Sequence, residues 1–326
     1  MSFVEKLWYG RNPVSWILWP LSLVFRCVSF LRRMCYRRGI FRVCSSRVPV
    51  VVVGNISVGG NGKTPTVIYL VENLKKRGFN PAVVSRGYGG HASEYPHVIS
   101  DNSSPLECGD EPYLIYRRLG CLVAVDPVRE RAVRKLEELG ADVIISDDGL
   151  QHYSMGRAVE LVVVDGSRRF GNGAVLPMGP LREGLWRLGE VDAVICNGDN
   201  PSDGEFKMSV IPMTPVKVRD YVTPLAEKGK VLAVAGIGNP EKFFNLLRKE
   251  GYDLVRTVPL ADHAAYTQEM FAGIIGDWDG IVLMTEKDAA KCRDFASDKC
   301  YFLPIDAVIS PDIVELIISK IGSRQQ

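Results

Sequence analysis

Eight consecutive residues, Ser57-Val58-Gly59-Gly60-Asn61-Gly62-Lys63-Thr64, have the makeup of a loop that cradles phosphates. Glycines let backbone N–H groups turn towards phosphate oxygens, and a helix N-terminus adds positive potential. Lys63 can reach β- and γ-phosphates, and the Thr64 hydroxyl can ligate magnesium. Ser57 stands where the usual pattern has its first glycine. A purely structural glycine turn is the alternative, but an apolar strand before the loop and a helix after it favour phosphate.

Such a loop needs a second magnesium ligand at a neighbouring strand end. Asp147 and Asp148 follow Val143-Ile144-Ile145-Ser146 and supply one, with Asp165, after Leu161-Val162-Val163-Val164, a rival on the same logic. Either could also be a turn-former. Gly109-Asp110-Glu111-Pro112 puts two carboxylates before a Pro-started helix, where Asp110 could be a base or only a cap. Pro177-Met178-Gly179-Pro180-Leu181-Arg182-Glu183 is a rigid loop ending in an Arg–Glu pair, suited to phosphate or simply solvated. Of four histidines, His263 follows Asp262, a carboxylate able to orient or charge it.

The elements that must position these residues alternate between strand and helix. Pro49 to Gly54 is a β-branched run of the kind buried on both faces of a parallel sheet. Pro65 to Arg77 reads as a helix with Gly78 past its end. Further strands are expected at 82–85, 143–146, 161–165 and 191–196, with a helix over 127–139. This pattern gives an α/β fold with a phosphate-loop-type parallel sheet and right-handed crossovers. Prolines 212, 215 and 224 interrupt the pattern, and a second α/β unit starts at Val231-Leu232-Ala233-Val234-Ala235. Its turn, Gly236-Ile237-Gly238-Asn239-Pro240, is half a dinucleotide fingerprint without the third glycine, and reads better as a tight turn. The expected division is a basic membrane-associated segment over 1–47, a nucleotide-binding domain over 48–215, a hinge over 216–230 and a smaller α/β domain over 231–326.

Composition bounds the rest. The 326 residues are 46% apolar and 24% charged, ordinary for a globular chain and contrary to wholesale disorder or many membrane spans. The net charge of +2 is uneven: residues 1–47 carry nine cations against Glu5 alone, leaving the remainder near −6. The same segment holds Trp8, Tyr9, Trp16 and Trp19. A membrane face therefore fits better than nucleic acid. The apolar run Val14–Phe25 is interrupted by Pro20 and closed by Arg26, short of the ~20 residues a span needs. Cations mostly after the run disfavour a signal peptide. An interfacial helix is expected, with a core helix or a tilted span as alternatives. Eight cysteines without a Cys-x-x-Cys pair read as buried thiols of a reducing compartment.

Taken together, the motifs resemble the tetraacyldisaccharide 4'-kinase family of lipid A biosynthesis. The resemblance rests on Val53-Gly54-Asn55-Ile56 running into the loop up to Pro65, Ser85-Arg86-Gly87-Tyr88-Gly89-Gly90, Gly109-Asp110-Glu111-Pro112 and Asp147-Asp148-Gly149-Leu150-Gln151-His152. It continues through Gly179-Pro180-Leu181-Arg182-Glu183, Gly236-Ile237-Gly238-Asn239-Pro240 and Thr285-Glu286-Lys287-Asp288-Ala289, in family order. It implies two α/β domains joined by a hinge, a membrane-associated N-terminal helix, and ATP with magnesium. It also implies transfer of the γ-phosphate to the 4'-hydroxyl of a tetraacyldisaccharide 1-phosphate, at the cytoplasmic face of the inner membrane. The glycolipid and the membrane surface would be the partners, with no nucleic acid and no obligate protein. By motif position, Asp110 would help deprotonate the hydroxyl with His263 as its partner, and Lys63 would neutralise phosphate charge. Residues 57–64 would hold the nucleotide; Thr64, Asp147, Asp148 and Glu183 would surround magnesium; Arg129, His152 and Arg182 would line the cleft. Where members often carry a second His after His263, this chain has Ala264. The competing reading is a membrane-tethered switch ATPase of the partitioning type, against which stands Val58 in place of that group's signature lysine.

Overall fold

The computed structural model describes residues 3–10, 13–261, 264 and 266–322. Strands β1 (Val50–Gly54), β2 (Pro81–Ser85), β3 (His97–Val98), β4 (Val123–Val125), β5 (Val143–Asp147), β6 (Val159–Asp165), β7 (Ala193–Asn197) and β8 (Phe206–Pro212) build a large sheet. A smaller sheet takes β9 (Val216–Lys217), β10 (Lys230–Ala235), β11 (Asp253–Pro259), β12 (Ile281–Thr285) and β13 (Cys300–Leu303), and then β14 (Ile305–Ile309) returns to the first. The helices are α1 (Phe3–Tyr9), α2 (Trp19–Arg37), α3 (Lys63–Lys76), α4 (Pro105–Cys108), α5 (Asp110–Leu119), α6 (Arg129–Glu138), α7 (Pro240–Lys249), α8 (Gln268–Ile275), α9 (Glu286–Cys292) and α10 (Asp312–Gly322).

The large sheet runs β14-β8-β7-β6-β1-β5-β2-β4-β3, parallel from β8 to β4, with an antiparallel strand at each edge. β1 is buried throughout because helices cover both faces. Val51 and Val53 pack with Val67, Leu70 and Leu74 of α3, whereas Val50 and Val52 pack with Ala132, Val133 and Leu136 of α6. β1 thus sits centrally between β5 and β6, and all three deliver their last residues to one edge, where ligands bind in such sheets.

The small sheet, β11-β10-β12-β13-β9, is parallel except for β9. Two expectations change here. The stretch expected as a hinge contains β9, which pairs with β13. The last part of the chain does not belong to the second unit: β14 pairs with β8, and Ile313, Val314, Ile317 and Ile321 of α10 join the core around α3. The apolar face of α10 finds its cover on the first sheet, which a linear reading does not reveal.

The N-terminal segment also differs. Pro20 falls in the first turn of α2, where its missing N–H costs nothing, so it starts the helix instead of breaking it. With the 3₁₀ turn before it, Pro13–Arg37 is a 25-residue helical stretch long and apolar enough to cross a membrane. One side docks on the body. Ser22 accepts from Met178 N and donates to Val175 O, and Trp8 Nε1 donates to Pro177 O. The other side exposes Trp16, Ile17, Leu21, Val24, Val28 and Leu31. All eight cysteines are free thiols.

Candidate active site

The phosphate loop is pinned by its own polar side chains. Asn61 Nδ2 donates to Ser57 Oγ at 3.0 Å, so the serine in the glycine position holds the loop shut upon itself. Asn197 Nδ2 donates to Asn61 O, and Val58 N donates to Pro180 O. Gly62 has φ +99°, and a Cβ there would lie 2.6 Å from Asn197 Nδ2 and 2.8 Å from Met208 Cε. Only glycine fits both that conformation and that space. Lys63 and Thr64 then open α3.

Across the edge, Lys63 Nζ lies 3.6 Å from Asp148 Oδ1, and Arg182 Nη1 lies 3.1 Å from both Asp148 oxygens. Burial opposes ionisation of Asp148, yet Lys63 and Arg182 hold its carboxyl below the usual range. Asp147 behaves oppositely. Burial first, then the Glu111 carboxylate, pushes it up to about 7. Its Oδ1 is buried without a hydrogen-bond partner. Adjacent carboxylates driven apart in this way mark a site built for charge chemistry. An orphaned carboxylate oxygen beside a phosphate loop also suits a divalent cation, which accepts such oxygen ligands.

Arg129 is not on the cleft wall as expected. It is only 3% exposed, and its two terminal nitrogens donate to the Asp147 and Asp148 carbonyls. Asp148 has φ +48°, uncommon for a non-glycine residue, and Arg129 braces that turn from below. His152, four residues after Asp148, has its Nε2 3.5 Å from Glu130 Oε2. Glu183 is buried and engaged: Gln151 Nε2 donates to it at 3.0 Å and Tyr153 OH also bonds to it. Burial raises its pKa. Among the described residues no cluster of three His, Cys, Asp or Glu side chains forms a ready cation cage. Asp165, the rival ligand, is spent on an Asx turn, accepting from Ser167 N, Ser167 Oγ and Arg168 N.

Asp110 is the first residue of α5, and the N-cap is Gly109, so the capping alternative does not apply. Its carboxylate meets Lys291 Nζ of α9 at 3.1 Å, and Lys291 also donates to Ala264 O. Glu111, next to it, is close enough to raise the Asp147 pKa, which brings the start of α5 to the acidic pair. His263, the expected partner of Asp110, lies outside the described residues. The sequence reading missed Lys291: it sits two residues beyond the last matched motif and 181 positions from Asp110. Asp288 belongs to the Thr285–Ala289 motif. It is fully buried, accepting from Gly236 N, Tyr266 OH and Thr285 Oγ1, and so fixes the helix that carries Lys291.

The family model for tetraacyldisaccharide-1-P 4'-kinase matches residues 14–322. The chain belongs to this family. It is 49% identical over 322 residues to the tetraacyldisaccharide 4'-kinase of Aeromonas salmonicida, covering 98% of this chain and 97% of the relative. It is 46% identical over 323 residues to that of Vibrio parahaemolyticus, covering 98% and 96%. The crystal structure of "apo" form LpxK from Aquifex aeolicus in complex with ATP superposes with a TM-score of 0.79 at 26% identity, covering 94% of this chain and 99% of that one. The kinase is thus an α/β phosphotransferase, and the switch-ATPase alternative falls.

Proposed function

We propose that this kinase transfers the γ-phosphoryl group of ATP to the 4'-hydroxyl of a tetraacyldisaccharide 1-phosphate lying in a membrane surface. The observation that carries this is the Lys63–Asp148–Arg182 cluster at the phosphate-loop edge, with the orphaned Asp147 oxygen beside it. Residues 57–64 hold the nucleotide, with Ser57 and Asn61 keeping the loop in shape. Thr64, Asp147 and Asp148 would hold magnesium, which would supply positive charge against the phosphates. Glu183 supports this set by holding Gln151. Lys63 and Arg182 offset charge on the transferring group, and Arg129 keeps the Asp147–Asp148 turn in place. Asp110 accepts the hydroxyl proton as the new O–P bond forms and the bond to ADP breaks. Lys291 anchors Asp110, and we assign His263 to the same proton path. His152, held against Glu130 at 3.5 Å, would contact the sugar phosphate.

The N-terminal stretch supports the membrane part of this reading. Its docked contacts run from Ser22 to Arg37, roughly 22 Å of helix at 1.5 Å per residue, so the helix lies along the body. Its exposed apolar side with flanking arginines suits an interfacial position on the cytoplasmic face of the inner membrane. The test is incubation with radiolabelled ATP and defined glycolipids. Label in the tetraacyldisaccharide 1-phosphate is expected. ATP hydrolysis stimulated by lipid with no labelled lipid would overturn the transfer.

A further inference from the structure

We propose that Arg33 of α2 is a positioning residue for phosphoryl transfer, so that the seating of the N-terminal helix on the body sets the geometry around Arg182 and Lys63. This rests on the kinase reading above. A continuous series of charged and polar side chains joins the two places. Arg33 Nη2 pairs with Glu190 Oε2, and that oxygen lies 3.8 Å from Arg187 Nη1. Arg187 Nε lies 3.7 Å from Glu183 Oε2, which accepts from Gln151 Nε2 at 3.0 Å. Gln151 Oε1 is 3.5 Å from Arg182 Nη1, and Arg182 and Lys63 share Asp148. A second route is shorter: the Arg33 guanidinium lies over the Tyr153 ring at 5.8 Å, and Tyr153 OH bonds Glu183.

The hub of this series makes it sensitive to Arg33. Arg187 is 1% exposed and bonds Glu160, while also facing Glu183 and Glu190. Buried charges tolerate little imbalance, because an unpaired one is costly. Without Arg33, Glu190 keeps Arg37 at 3.3 Å, an arginine whose side chain is 61% exposed and holds it weakly. Arg187 then shifts towards Glu190 and away from Glu183, and Gln151 and Arg182 lose their fixed neighbour. Arg33 also stacks over Trp186 at 4.3 Å, which fixes its direction and limits its exposure. The apolar side of α2 lies opposite, so whatever moves the helix moves Arg33.

The test measures kcat and both KM values in detergent micelles for the full chain, for Arg33→Met, for Glu190→Gln and for the double variant. Each single variant should lose about 2- to 30-fold in kcat, the range of network couplings, with the KM for ATP unchanged. The double variant should lose less than the product of the two. Equal thermal midpoints confirm that folding is intact, and Glu190→Gln probes the same link should Arg33→Met not fold. An unchanged kcat, fully multiplicative losses, or a raised lipid KM with unchanged kcat would overturn the proposal, the last showing that Arg33 meets the headgroup directly. If the unaltered chain itself places no label in the lipid, the kinase reading has failed and not the coupling.

Discussion

The two sheets each contain the same device, a strand, a glycine turn and a helix, and put it to different uses. After β1, the turn through Gly59 and Gly62 leads to Lys63 at the first helical residue, and its polar side chains are spent on holding the loop's shape. After β10, the turn Gly236-Ile237-Gly238-Asn239 leads to Pro240 in the first turn of α7, and the Gly236 amide is already captured by Asp288 at 3.0 Å. The first sheet edge presents Lys63, 3.6 Å from Asp148, beside an orphaned Asp147 oxygen. The second edge satisfies itself, and what it lends to the site is Lys291, placed by the helix that Thr285 caps and Asp288 anchors. Chemistry follows from where donors and charges remain available, not from the supersecondary element alone.

The sharpest break of this contrast is Lys63→Ala. Loss of the phosphate-neutralising ammonium should cost at least about 10³-fold in kcat, at the upper end of what single electrostatic groups contribute, with the fold intact by circular dichroism. Near-full activity in a transfer assay would remove the first edge from the reaction. Next is Asp110→Asn, which keeps size and polarity and removes basicity. It should lower kcat by about 10²–10⁴ and leave ATP affinity unchanged in a binding titration. Weakened ATP binding at full kcat would make Asp110 a cation or structural residue.

Smaller losses test what the second sheet lends. Lys291→Met should cost about tenfold in kcat with no change in the ATP KM, since it touches Asp110 and not the loop. An unaltered kcat would confine that sheet to scaffolding. The matched pair Gly62→Ala and Gly236→Ala separates the two turns directly. Gly62→Ala meets Asn197 and Met208 at a positive φ and should abolish ATP binding. Gly236→Ala meets Asp288 Oδ1 at 2.8 Å and Tyr266 OH at 3.0 Å, and should cost about 1–3 kcal/mol of stability as an overpacked site, with ATP affinity kept. Equal losses of ATP affinity would erase the distinction.

What the sequence disclosed divides along the same line. The loop, β1, and the Asp147–Asp148 strand end are legible because each lies within a few residues of the strand that positions it. The buried settings of Arg129 and Glu183 were not. An arginine that braces carbonyls 18 residues away looks like one that faces a ligand. Only burial and partners tell them apart. The return of β14 and α10 to the first sheet is set by contacts such as Tyr69 OH to Ile309 O, 240 positions apart. No local pattern encodes such a pairing. Lys291 escaped for the same reason.

The smallest expected effect concerns the turn that the acidic pair and His152 share. Burial, and then the Arg129 cation, lower the His152 pKa from its ordinary 6.5, and Glu130 offsets this only in part. The folded state therefore binds fewer protons at His152 than the unfolded state does once the pH drops below 6.5. Stability tied to this residue is complete above that value and is lost as the pH falls from it towards the folded-state pKa. Asp147 contributes the opposite sign: its raised pKa favours the folded protein at low pH, and that benefit fades as the pH climbs towards 7. Overall stability against pH mixes the two, so the measurement must be a difference. Thermal midpoints of the unaltered kinase and of His152→Gln, compared from about pH 7.5 down to about pH 5, isolate the histidine. The variant should gain on the unaltered protein as the pH falls below 6.5, by at most a few degrees. A constant gap across that range would mean that His152 takes up its proton equally in both states, and that its closure against Glu130 and Arg129 is looser than the 3.5 Å contact indicates.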